Sequence, residues 1–236
     1  MSIVDNATDV KKVLITGASS GIGREVAKSL ISRKHSVFLT GRNELSLNKI
    51  EDSAGILAGD LTSSAFVSNL VESSIESLGN IDVFVHCAGV GLIKKVKDMT
   101  DLDFVKVTNT NMRATFLIAQ KIGEIMAKSG GGRFIYTPGI LGRAPMSGAS
   151  AYCASKFGAI GFLKSMELEY RSKGIQFTYF YFGGVDTPFW DELEMNVVRD
   201  KMIPVHYAAS SIVNVIESPR HLVTGDVIIQ PQTHQL

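Results

Sequence analysis

Short apolar runs alternate along this chain with longer stretches in which apolar residues recur every three or four positions. Val13–Thr16, Ser36–Thr40, Ile81–His86, Arg133–Thr137, Ile175–Phe182 and Asp226–Gln230 are compact and rich in Val, Ile and Phe. That composition suits strands buried on both faces. Gly55–Ala58 is a weaker strand ahead of Gly59-Asp60. Between the runs, Ile22–Lys34, Ser63–Leu78, Leu102–Ser129 and Ala151–Lys173 carry helical spacing and are long enough for helices. The alternation is that of βαβ units, which predicts a parallel sheet with helices on both sides. Gly130-Gly131-Gly132 marks a turn between helix and strand. No repeat, low-complexity tract or linker interrupts the pattern, so residues 1–236 read as one domain.

The first strand runs into Thr16-Gly17-Ala18-Ser19-Ser20-Gly21-Ile22-Gly23-Arg24. Glycines at 17, 21 and 23 let the backbone turn tightly, approach a pyrophosphate and pack the helix start on the strand. The N–H groups opening that helix then face an anion. The spacing is G-x-x-x-G-x-G, and a Gly/Ser-rich loop without a ligand is the alternative. The second strand ends in Leu39-Thr40-Gly41-Arg42-Asn43. An acidic residue here would bind a ribose 2′-OH and repel a 2′-phosphate, whereas a guanidinium binds the phosphate in two-pronged fashion. Arg42 therefore favours NADP over NAD, unless it is merely a solvated residue. Arg24 either assists or is a surface residue.

Tyr152 and Lys156 lie four apart, so a helix places them on one face. An ammonium beside a phenol favours the phenolate and is expected to lower the tyrosine pKa. Such a phenol exchanges protons with an alcohol or carbonyl near neutral pH. The same spacing also arises on solvated helix faces.

Composition narrows the field. With 236 residues, 45% hydrophobic and 20% charged, the chain suits one large domain. A formal net charge of +1 gives no sign of nucleic acid or an anionic membrane as partner. Cys87 and Cys153 each lie in an apolar run, the pattern of buried thiols in a reducing compartment. Met1–Asp9 lacks a basic start and apolar core, and no run of about 18 apolar residues exists. A soluble, cytoplasmic protein is expected. His35, His86, His206, His221 and His234 show no metal-ligand spacing, so no metal is expected.

Taken together, these residues closely resemble the short-chain dehydrogenase/reductase family over essentially the full length. Beyond the Gly-rich loop and Tyr152/Lys156, Gly59-Asp60-Leu61 resembles the family's acidic turn beside the adenine ring. His86-Cys87-Ala88-Gly89 resembles its Asn-Asn-Ala-Gly segment. Asn111 falls at the helix asparagine that holds a water linked to the catalytic lysine, and Thr187 at the threonine contacting the nicotinamide carboxamide. The resemblance implies a single Rossmann domain with a seven-stranded parallel sheet. It implies hydride transfer between NADP(H) and a carbonyl/alcohol pair, with Tyr152 as acid/base and Lys156 lowering its pKa. Cofactor contacts then fall on Gly17, Ser19, Ser20, Gly21, Ile22, Gly23, Arg42, Asp60, Leu61, Ala88, Gly89, Tyr152, Lys156, Gly184, Val185 and Thr187. Two long helices, Leu102–Ser129 and Ala151–Lys173, match the family's dimerising pair, so a homodimer or homotetramer is expected.

The departures are informative. The family's serine, thirteen residues before the tyrosine, is Gly139 here. Losing one donor to a developing oxyanion slows catalysis by about 10²–10³, which leaves an attenuated enzyme and an inactive dinucleotide-binding sensor or complex subunit as alternatives. A dehydration or isomerisation is a third. Thr137, Ser147, Ser150 or a water are candidates to replace the missing donor, and Gly139→Ser is expected to raise activity. Cys87 and Gly183 replace the family's usual asparagine and proline. Gly91–Ile93, Pro145-Met146 and Phe189-Trp190 fall where the family walls its pocket, which suggests an apolar substrate. Phe189 and Trp190 packing a lid into the core is the alternative. The lid spans Pro188–Tyr207, with Asp191, Glu192 and Glu194 on a solvated face.

Overall fold

The computed structural model describes residues 9–193 and 195–233. The residues before Asp9, together with Glu194 and His234, lie outside the described residues. Seven strands form one sheet in the order β3-β2-β1-β4-β5-β6-β7, every neighbouring pair parallel. They are β1 (Lys12–Thr16), β2 (Ser36–Gly41), β3 (Gly55–Ala58), β4 (Val83–His86), β5 (Gly132–Tyr136), β6 (Ile175–Phe182) and β7 (Asp226–Ile229). The expected parallel sheet and Rossmann architecture are what the structure shows.

The helices are α1 (Gly21–Ser32), α2 (Glu44–Leu47), α3 (Ser64–Leu78), α4 (Asp101–Thr108), α5 (Ala114–Lys128), α6 (Ser150–Tyr170) and α7 (Val205–Glu217). Side chains alternate across each strand, so the sheet feeds two cores. Leu14, Phe84, Phe134 and Phe177 pack against α3, α5 and α6, while Val13, Ile15, Val85 and Ile135 pack against α1 and α7. Each fully buried Leu, Ile or Phe contributes about 1.5–3 kcal/mol. None of the described helices is long and apolar enough to cross a membrane.

Three elements differ from the sequence expectation. Leu102–Ser129 is not one α-helix, because a π turn at Asn109–Arg113 separates α4 from α5. α7 is a full helix whose first residues had been assigned to the lid, so the lid ends before Val205. The short α2, capped by the Asn43 side chain accepting from Ser46 N, was not anticipated.

Candidate active site

Parallel strands deliver their C-terminal ends to one edge, where such sheets bind ligands. Gly17, at φ +71°, sits so close to the end of β4 that a Cβ would lie 2.8 Å from Ala88 N. A Cβ on Gly23 would stand 2.6 Å from Gly17 O. These two glycines press the β1–α1 loop, the start of α1 and the Ala88-Gly89 segment together. Ala18 N holds the loop to Thr40 O at 3.0 Å. Gly41 serves the same purpose from β2, since a Cβ there would meet Ser19 Oγ at 2.8 Å. Arg24 folds back over the loop and donates to Ser19 O, leaving its buried Nε without a partner. Arg42, directly after β2, is exposed and forms no ion pair among the described residues. Beyond β3, Asp60 is exposed and accepts from Thr62 N at 2.8 Å, while Leu61 packs on the core.

Asn111 is buried within the π turn. Its side chain accepts from Val90 N (2.8 Å) and donates to Val90 O (2.8 Å) and Ser155 Oγ (3.0 Å). It thus ties the loop after Gly89 to the helix turn carrying Lys156. Ser155 in turn donates to Tyr152 O at 2.7 Å.

Tyr152 and Lys156 share a face of α6, as their spacing predicts. Lys156 is 4% exposed, with Nζ 5.7 Å from the Tyr152 ring centroid and 5.4 Å from that of Tyr136. No carboxylate pairs with it among the described residues, and burial pulls its pKa down to about 8. The sign at the tyrosine differs from the expectation. Burial, helped by Cys153, raises the Tyr152 phenol above its ordinary range. The lysine loses because it lies over the ring and desolvation penalises the phenolate more strongly. Nearby, burial raises the Cys87 thiol to about 11, so this half-buried residue is not a nucleophile.

Gly139 adopts φ +74° and ψ +169°, a region open essentially only to glycine. A Cβ there would meet only Phe182 O, at 3.8 Å, so the obstacle to serine is the backbone rather than space. This reverses the expectation for Gly139→Ser. The variant should lose about 1–3 kcal/mol of stability and gain no activity, as urea unfolding and turnover assays will report. Thr137 is already committed, its hydroxyl donating to His86 O at 3.2 Å. Ser147 and Ser150 are exposed.

The lid closes the edge. Thr187 is 7% exposed and lies 3.4 Å from where a Cβ on Gly21 would be, which joins the Gly-rich loop to the end of β6. Gly184 and Val185 enter the same edge through the bridge between Val185 and Ile203. Gly183 N donates to Ile229 O at 2.8 Å, a bond the family's usual proline could not make. The two readings of the lid aromatics divide by residue. The Trp190 indole donates to Val185 O at 2.8 Å, and the ring packs by Gly184. Phe189 instead covers Gly91 and stands 6.2 Å from the Tyr152 ring, walling the site. Asp191 is more than a solvated residue: Arg199 bonds it and also reaches Asp186 Oδ1 (3.0 Å) and Thr187 O (3.0 Å). Sequence reasoning passed over Arg199, although it is a lone arginine among the lid acids.

The sequence profile of the short chain dehydrogenase family matches residues 11–197. A sepiapterin reductase from Chlorobaculum tepidum is 30% identical over 233 residues, covering 93% of this chain and 95% of that protein. A 3-oxoacyl-(acyl-carrier-protein) reductase from Rickettsia prowazekii is 36% identical over 169 residues, 70% of this chain and 68% of that one. Among solved structures, an alcohol dehydrogenase from the archaeon Thermococcus sibiricus, complexed with 5-hydroxy-NADP, superposes with a TM-score of 0.88. It is 19% identical, over 97% of this chain and 99% of that one. Actinorhodin polyketide ketoreductase with NADPH superposes at 0.83, with 23% identity over 95% and 97% of the two chains.

Proposed function

The chain belongs to the short-chain dehydrogenase/reductase family, and from that premise we propose that it is an NADP(H)-dependent oxidoreductase interconverting a carbonyl and an alcohol on an apolar small molecule. The observation that carries this reading is the placement of Tyr152 and Lys156 on one face of α6, at the sheet edge where the Gly-rich loop lies. The residues fit a dinucleotide. Glycines 17, 23 and 41 let the loop pack close against its neighbours where any Cβ would clash, and the α1 N-terminus attracts a pyrophosphate. Arg42, exposed at the end of β2, suits a 2′-phosphate. Both structural neighbours named above were solved with NADP-type cofactors.

When bound, NADPH supplies the hydride. Tyr152, held protonated by its burial, is set to give its proton to the carbonyl oxygen in the reducing direction. Lys156 stabilises the phenolate left behind and holds the ribose. Asn111 ties the Val90 backbone to the Ser155 hydroxyl beside the lysine, and Phe189 covers the site against water. Exposed Phe104, Val105, Met112, Phe116 and Phe157 on α4–α6 support a homodimer or homotetramer built on that face. Free Cys87 and Cys153 accord with a cytoplasmic protein.

The test is NADPH consumption over a panel of ketones, aldehydes and quinones, with cofactor binding measured in parallel. Tight binding without turnover would instead favour the second reading, a sensor or complex subunit, for which Gly139 is the specific observation. Arg42→Ala should weaken NADPH binding about tenfold or more and leave NADH binding unchanged. Equal weakening of both would remove Arg42 from the 2′-phosphate.

A further inference from the structure

His86 stands where the family carries the first asparagine of its Asn-Asn-Ala-Gly segment, and it is fully buried. Its ring is stacked between Phe84 and Tyr136, at centroid distances of 5.7 and 5.4 Å. Nδ1 lies 2.7 Å from Thr16 Oγ1, and Nε2 lies 2.8 Å from Thr115 Oγ1. Proton bookkeeping assigns every hydrogen. Thr115 has one hydroxyl proton and donates it to Asn111 O at 2.7 Å, so it must accept from His86. Thr16 accepts from Ala88 N at 3.4 Å, which leaves its own proton for Nδ1. In the neutral ring, this places the hydrogen on Nε2. One directed chain runs from Ala88, at the Gly-rich loop, through Thr16, His86 and Thr115 to the Asn111 carbonyl.

That carbonyl belongs to the π turn that carries the Asn111 side chain, so what holds the carbonyl also bears on where that side chain points. Asn111 also adjoins the lysine: a Cβ placed on Gly89 would lie 3.1 Å from Asn111 Oδ1 and 3.0 Å from Lys156 Nζ. We propose that His86 is a positioning residue of the Tyr152/Lys156 site, holding the Asn111 carbonyl in register through Thr115 with its proton on Nε2. The proposal rests on the reading of Tyr152 and Lys156 as an acid/base pair. Its electrostatics agree, because burial and the Lys156 charge push the imidazole down to about 3 and keep it uncharged beside the ammonium.

Side-chain length separates positioning from simple core filling. A glutamine amide nitrogen reaches roughly where Nε2 stands, whereas an asparagine amide reaches only as far as Nδ1. His86→Asn and Thr115→Val should each lower kcat about tenfold, with the KM for NADPH within about twofold of wild type. The double variant should lose no more than either single, since the chain acts as a unit. His86→Gln should recover most of the loss. In the unsubstituted protein, nitrogen-15 NMR should show a neutral His86 ring protonated on Nε2. A ring protonated on Nδ1, or lowered Tm with wild-type kcat in His86→Asn and Thr115→Val, would overturn the proposal. Failure of the acid/base reading shows separately, as a Tyr152→Phe protein that still turns over; the ring-nitrogen result stands apart from it.

Discussion

Tyr152→Phe should lower carbonyl reduction by about a thousandfold, within the 10²–10⁴ that a positioned proton donor contributes, while NADPH still binds. The substitution removes one oxygen and keeps the ring, so the 6.2 Å approach to Phe189 and the packing on the sheet survive. The structure sharpens the reason for the loss. Burial holds the phenol protonated, and two neighbouring hydroxyls are already committed: Thr137 donates to His86 O, and Ser155 donates to Tyr152 O. Single-turnover kinetics with prebound NADPH will separate binding from chemistry. Turnover near wild type in this variant would remove Tyr152 from its role.

Replacing Lys156 should move activity and stability in opposite directions. Lys156→Met deletes a buried cation that no carboxylate among the described residues offsets, so the protein should become more stable as it loses turnover. The folded pKa of about 8 lies below the ordinary lysine value of 10.5. Between those values the unfolded chain holds a proton that the folded chain has released, so stability rises with pH across that window. Below pH 8 the penalty is fully present, and linkage puts it at roughly 3 kcal/mol. Urea midpoints from pH 7 to 10, taken as the difference between variant and parent and both carrying Cys87→Ser because that thiol feels the Lys156 charge, isolate the lysine from the other buried groups. The difference should shrink as pH climbs. In parallel, kcat/KM for carbonyl reduction should fall as pH rises through about 8, because Lys156 then loses the charge that supports the phenolate. A variant no more stable than its parent would mean that Lys156 is better solvated than its 4% exposure indicates.

The sheet was legible in the sequence because its central strands are buried on both faces and so read as unbroken apolar runs; β6 matches residue for residue. The sequence marks a helix start near His206 but not the extent of α7, although Ala208, Ala209, Ile212, Val213 and Ile216 have helical spacing and are all buried. Its β-branched residues carry strand propensity, which packing against α1 overrides. The π turn at Asn111 leaves no mark in hydrophobic spacing, since one residue of slippage only rotates the pattern. At the site, spacing placed Tyr152 and Lys156 correctly, but the sign at the phenol depended on burial, which spacing does not carry. Gly139 was visible as a missing side chain, whereas its positive φ was not. The bonds of His86 and Arg199 join residues far apart in the chain, and only the fold brings those partners together.

The strand order also bears on how the chain acquires its structure. β1 lies between β2 and β4, and Val13 pairs with both Val37 and Val83. During synthesis β1 and β2 can zip together early, but the other flank of β1 waits until β4 emerges. Through that interval a row of unpaired backbone groups, bordered by Leu14 and Ile15, is open to another nascent chain. Mispairing in the first half of translation is thus the expected hazard for this protein, and β4 is the segment whose arrival ends it.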